Sequence, residues 1–104
     1  MGNMQVLDQK SPEAVTKVTW DFLSQLGAGE TLTLATVSVS VWTGVDPSPA
    51  AILDGAPSLS GSQVSQLIQD GIAGVVYKIR VQASTSLGQI VVMYSYLAVV
   101  EDPL

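Results

Sequence analysis

From Tyr77 to Ser84 the chain alternates one residue at a time. Tyr77, Ile79, Val81 and Ala83 share one parity, and Lys78, Arg80, Gln82 and Ser84 share the other. This is the pattern of a strand with one buried face and one wet face. TSLGQ, from Thr85 to Gln89, then reads as a turn. The strand that follows does not divide so cleanly. Ile90, Val92, Tyr94, Tyr96 and Ala98 lie on one face, and Val91, Met93, Ser95, Leu97 and Val99 on the other. Both faces are largely apolar, and a doubly apolar strand needs cover on both sides.

Elsewhere the pattern predicts more short strands. Val18, Trp20 and Phe22 alternate with Lys17, Thr19 and Asp21, placing Trp20 mid-strand. LGAGE, from Leu26 to Glu30, is a loop. TLTLATVSVSVW is rich in the β-branched residues that suit a pleated surface. Its phase slips midway: Leu32 and Leu34 share one parity, whereas Ala35, Val37, Val39 and Val41 take the other. That slip predicts a β-bulge or a strand that changes sheets. TGVDPSPAAILDGAP reads as a long loop, with AAIL as a short edge strand inside it. SQVSQLIQ fits one or two helical turns or a strand, and its surroundings favour the strand, with Asp70-Gly71 as a turn after it.

Residues 1–12 show no sustained period and are expected to form an extended N-terminal arm. Residues 13–104 then make one β-sandwich domain that closes in an acidic tail at Glu101-Asp102-Pro103-Leu104. About seven short antiparallel strands with Gly and Pro turns, and no long helix, predict an all-β fold. At this length an immunoglobulin-like β-sandwich fits best.

Composition narrows the function. Charged residues are 12% of the chain, about half the usual share of roughly 25%. Two readings follow: a small domain with a Ser/Thr-rich surface, or a subunit partly covered by neighbours. The net charge of −5 argues against nucleic acid, because nothing here would neutralise phosphates. No basic face suits a membrane surface. The chain lacks a signal-peptide core and any apolar run near membrane-spanning length, and it reads as a protein made in a cytoplasm.

Cysteine and histidine are both absent. Their absence removes thiolate metal sites, the commonest general base and the commonest neutral metal ligand. Asp46, Asp54 and Asp70 each adjoin Gly or Pro and read as turn formers. No pair of carboxylates is spaced as a glycosidase or a calcium loop requires. LGAGE lacks the Lys of a phosphate loop. No catalytic residue, metal site or cofactor is expected.

The remaining candidates are aromatic. Trp20 reads as core. Trp42 either caps the core or sits in an interface, where Trp is enriched. Tyr94 and Tyr96 either lie over the sheet with wet hydroxyls or form a contact patch. The expected partner-binding set is Trp42, Ile90, Val92, Tyr94 and Tyr96, joined by Asp46, Pro47 and Pro49 of the 45–57 loop.

KSPEAVTKVTWDFLSQLGAGETLT, a Val/Thr strand, and then GIAGVVYKIRVQASTSLGQ together resemble a family of small tailed-bacteriophage proteins, the fiber-tail adaptor proteins. The resemblance rests on Lys10 to Pro12, Trp20 to Phe22, Gly27 to Leu32, Gly74 to Tyr77, and the hairpin of Thr85, Ser86 and Gly88. It covers roughly residues 10–90. It implies a non-enzymatic virion protein that joins fibres to the tail or neck, bound to other virion proteins and present in several copies of a symmetric assembly. A capsid decoration protein and a carbohydrate-binding module are the alternatives. The cover expected for the second face of the last strand is a neighbouring subunit, with the N-terminal arm as runner-up.

Overall fold

The computed structural model of the chain describes the backbone of residues 4–6 and residues 9–101 in full. Seven strands are described: β1 (Met4–Val6), β2 (Thr16–Asp21), β3 (Leu32–Thr43), β4 (Leu53–Ser60), β5 (Gln63–Ile68), β6 (Val76–Thr85) and β7 (Ile90–Ala98). They form two sheets, ordered β1-β7-β6-β3 and β2-β5-β4. All pairings are antiparallel except β1 with β7. The chain is an all-β sandwich. An immunoglobulin constant domain sets strands A, B, E and D against C, F and G. Here β2, β5 and β4 face β3, β6 and β7 in the matching order, and β1 lies beside the last strand rather than the second.

The core lies between the sheets. Trp20, Phe22, Val64, Ile68, Tyr77, Ile79 and Val81 are fully buried, with Ile52, Leu97 and Val99 almost so. Burying each large apolar side chain contributes about 1.5–3 kcal/mol. The alternation of β6 therefore carries through to the fold, with its odd positions inward. The same holds for β7: Val91, Ser95 and Leu97 are buried, as is Val99 just beyond it, so the core face is the odd one. Ser95 is the polar exception on that face. Its Oγ accepts the indole N–H of Trp20, from the opposite sheet, at 2.6 Å.

β3 carries a bulge, as its phase slip predicts. Leu32 pairs with Thr85 and Leu34 with Ser84, leaving Thr33 as the extra residue. The bulge also corrects the expectation that Leu32 and Leu34 share a face. The inserted residue resets the parity, so Leu32 enters the core whereas Leu34 is 62% exposed.

AAIL is not an edge strand. Pro49–Ile52 is a 3-10 turn with the proline at its start, where its missing N–H costs nothing. The following LDGAP, read as loop, belongs to β4. Gly55, Ala56 and Pro57 stand opposite the single residue Gln66 of β5, between the pairs Asp54–Leu67 and Ser58–Ser65. The buried Gln66 amide fills this opening by donating to the carbonyls of Asp54, Gly55 and Leu67. Gly and Pro here mark an irregular edge strand and not a connection. SQVSQLIQ is the strand β5.

The described part of the arm runs in the plane of the larger sheet, along the free edge of β7. Met4, Gln5 and Val6 pair with Tyr94, Ser95 and Tyr96. Lys10 then donates its N–H to Ala98 and accepts from Val100. Its buried ammonium donates to the carbonyls of Ser11 and Asp70, and desolvation pulls its pKa down. Asp70 holds a positive φ of 52° that turns the chain at this point. Residues 1–3, 7 and 8 of the arm, and Asp102, Pro103 and Leu104 of the acidic tail, lie outside the described residues.

Glu30 fastens the opposite end. Its carboxylate accepts the N–H of Gly27 at 2.7 Å and the hydroxyl of Thr85, joining the 26–31 loop to the β6–β7 turn. Those two bonds hold its pKa below the usual carboxylate value. Asp21 is lowered too, chiefly by the hydroxyl of Ser62 and the N–H of Leu23.

Two outcomes follow. Ser95→Ala leaves the buried Trp20 N–H without a partner and is expected to cost about 1–3 kcal/mol, read by urea denaturation. A loss under about 0.5 kcal/mol would place the bond outside the stabilising set. Glu30 and Asp21 are depressed in the folded state. Their contribution is present above the unfolded carboxylate range and is lost as pH falls through their folded values. Stability is therefore expected to hold from pH 7 to 5 and drop below about pH 4, with a shallower drop in Glu30→Gln, measured as denaturation midpoint against pH.

Candidate docking surface

Because the odd positions of β6 and β7 point inward, their even positions form one outward face, joined by those of β3. The register sets the rows. Ser40, Lys78 and Tyr96 lie side by side, then Ser38, Arg80 and Tyr94, then Thr36, Gln82 and Val92, then Leu34, Ser84 and Ile90. A second irregularity, between Val41 and Thr43, leaves Trp42 unpaired and 58% exposed at one end of this face.

Trp42 and Tyr96 meet edge to face across β6, with ring centroids 5.0 Å apart at 62°. The Lys78 ammonium sits between aromatic rings, 4.6 Å from the centre of Tyr94 and 5.9 Å from that of Trp42. Arg80 donates to the side-chain oxygen of Gln82 at 2.8 Å, along its own strand. Ser38, Ser40, Lys78, Arg80 and Tyr94 line an open depression of about 250 Å³. Farther along, Ile90 is 64% exposed and Val92 half-buried.

The structure thus brings Trp42, Ile90, Val92, Tyr94 and Tyr96 onto one face, though the first lies on β3 and the rest on β7. The loop residues go elsewhere. Asp46 accepts the Tyr77 hydroxyl at 2.6 Å and the N–H of Ser48 at 2.8 Å. The Tyr77 hydroxyl in turn accepts the N–H of Ile72. Burial, then the bond to Asp46, pushes the Tyr77 pKa up to about 12. Asp46 is therefore engaged inside the chain, as turn chemistry requires. Pro47 is exposed, and Pro49 opens the half-buried 3-10 turn.

Sequence reasoning passed over Lys78 and Arg80 as residues of a wet strand face. The signal was present: they share a parity, and β3, β6 and β7 contain no acidic residue. The opposite sheet presents a different outer surface. Lys17, Thr19, Asp21, Gln63, Ser65, Ser58 and Ser60 face out there, with Leu67. Among the described residues no three His, Cys, Asp or Glu side chains converge as a metal site would need.

The two tryptophans should separate in fluorescence. Acrylamide is expected to quench Trp42 and spare the fully buried Trp20. Trp42→Phe should leave a blue-shifted, protected emission. Residual emission as quenchable as that of the parent protein would place Trp20, not Trp42, at the surface.

The curated proteins give no match. Residues 10–96 match the family described as podophage GP4 fiber-tail adaptor protein gp77. The match begins at the Lys10 anchor and ends at Tyr96, inside the aromatic cluster. The chain belongs to this family of phage structural adaptors, a structural class and not an enzyme class.

Proposed function

We propose that this chain is a static, non-enzymatic adaptor of the phage tail that docks a neighbouring virion protein on the outward face of β3, β6 and β7. The observation that carries the reading is the contrast between the two outer surfaces. One is Ser, Thr and Gln with scattered charge, as solvent-facing strands usually are. The other sets Trp42, Tyr94 and Tyr96 together with Val92 and Ile90. Grouped aromatic and apolar surface of this kind marks an interaction site, and Trp, Tyr and Arg are the residues that dominate binding energy at interfaces.

An adaptor has two sides to join. The sheet face serves one, and the connection between β3 and β4, with Val45 81% exposed, serves the other. The partners are the tail or neck protein and the fibre, and the chain acts in several copies set by the symmetry of that assembly. With neither His nor Cys in the chain, the role needs binding surface and no chemistry.

The test uses purified virions. Tyr94→Asp is expected to fold with a thermal midpoint near that of the parent protein and to fall at least tenfold in copies per particle, counted by quantitative mass spectrometry against the portal protein. Ser65→Asp, on the polar sheet, should incorporate normally. Normal incorporation of Tyr94→Asp would remove the face from the interface, and a copy number on the capsid-lattice scale would make the chain a decoration protein.

A further inference from the structure

The larger sheet has an uneven charge. Its four strands hold Lys78 and Arg80 and not one of the chain's nine acidic residues, although the whole chain carries −5. Both cations are half-buried on the docking face. Lys78 rests against aromatic rings and Arg80 against a neutral amide. Neither arrangement supplies a counter-charge. Stacking on rings holds the ammonium in place, and the guanidinium keeps its remaining donors for a planar acceptor.

We infer that the partner segment docked on this face is an extended, acidic stretch of another virion protein, with two carboxylates two residues apart and an apolar side chain beside them. The inference rests on the adaptor reading above and names the chemistry of its partner. Lys78 and Arg80 are neighbours on the same side of β6, about 6.7 Å apart by the rise of a strand. Alternate residues of an extended partner repeat at the same distance. Its carboxylates therefore meet Lys78 and Arg80 in register, the second one in a bidentate pair. Ser38 and Ser40 line the same depression and offer hydroxyls to the remaining carboxylate oxygens. The apolar residue lands on the Trp42–Tyr96 pair at the end of the face. Nucleic acid is a poor occupant, because two cations in a chain of this charge release too few counterions.

A zero-length carbodiimide tests the pairing directly. It activates a carboxylate, which then forms an amide with a lysine in contact, while the reagent leaves as the urea. In purified virions so treated, Lys78 is expected to be joined to an Asp or Glu of a different virion protein, with Lys17 on the polar sheet as the reference. Lys78→Glu combined with Arg80→Glu should fold normally and lose incorporation at least tenfold. Lys78→Arg should keep incorporation while abolishing the cross-link.

Three results would overturn the inference: Lys78 left unlinked in particles, Lys78 linked to a second copy of this chain or to a polysaccharide, or normal incorporation of the charge-reversed variant. If Tyr94→Asp loses incorporation and the charge reversal does not, the face docks a partner that is not acidic, and the adaptor reading stands. If both variants incorporate normally, the face is not the interface and both readings fall.

Discussion

The hydrogen bond from the Trp20 indole to the Ser95 hydroxyl crosses the sandwich and decides which way β7 faces. Both groups are completely buried, so each needs a partner, and each finds the other across the core. An indole N–H left dry and unpaired carries a large penalty. Ser95 must therefore point inward, and with a side-chain period of two, Val91, Leu97 and Val99 follow it. Tyr94 and Tyr96 are then outward by necessity. One polar contact inside the core thus positions the surface on which the proposed function depends.

Lys10, Glu30 and Tyr77 lie at the joints of this sandwich and outside the outward face of β3, β6 and β7. Lys10 binds the carbonyl of Asp70 and ties the arm to the loop between the sheets. Glu30 binds Gly27 and Thr85 and closes the other end. Tyr77, at the start of β6, is bonded to Ile72 and Asp46, much as the corner tyrosine of immunoglobulin domains reaches back to upstream backbone. These motifs belong to a scaffold held at its ends by buried or half-buried polar groups.

The outward face of β3, β6 and β7 joins two properties. Its rings present apolar area, and its cations are half-buried among them without a carboxylate on the same sheet. In a chain with surplus acid, the negative charge has been kept to turns, termini and the other sheet. A partner that brought only apolar surface would bury Lys78 and Arg80 uncompensated, which is costly. One that brought only charge would leave the rings wet.

Much of the fold was legible in the sequence. Alternation placed Trp20, Tyr77, Ile79 and Val81 in the core, and the parity slip read after Leu34 announced a bulge that the pairing sets at Thr33. These follow from local periodicity, which a linear reading contains. The LDGAP strand escaped it, because its Gly and Pro serve a bulge that makes sense only opposite Gln66. The aromatic residues of the site were legible as types, yet not as a cluster. Whether Trp42 would meet Tyr96 depended on β3 and β7 flanking β6, and that order is a property of long-range pairing. The choice between the two apolar faces of β7 also lay beyond the sequence. Hydrophobicity there is nearly balanced, and the tie is broken by a hydrogen bond between residues 75 positions apart. Alternation alone leaves β7 with two apolar faces; long-range packing turns the odd one to the core, because there Ser95 meets the buried indole N–H of Trp20.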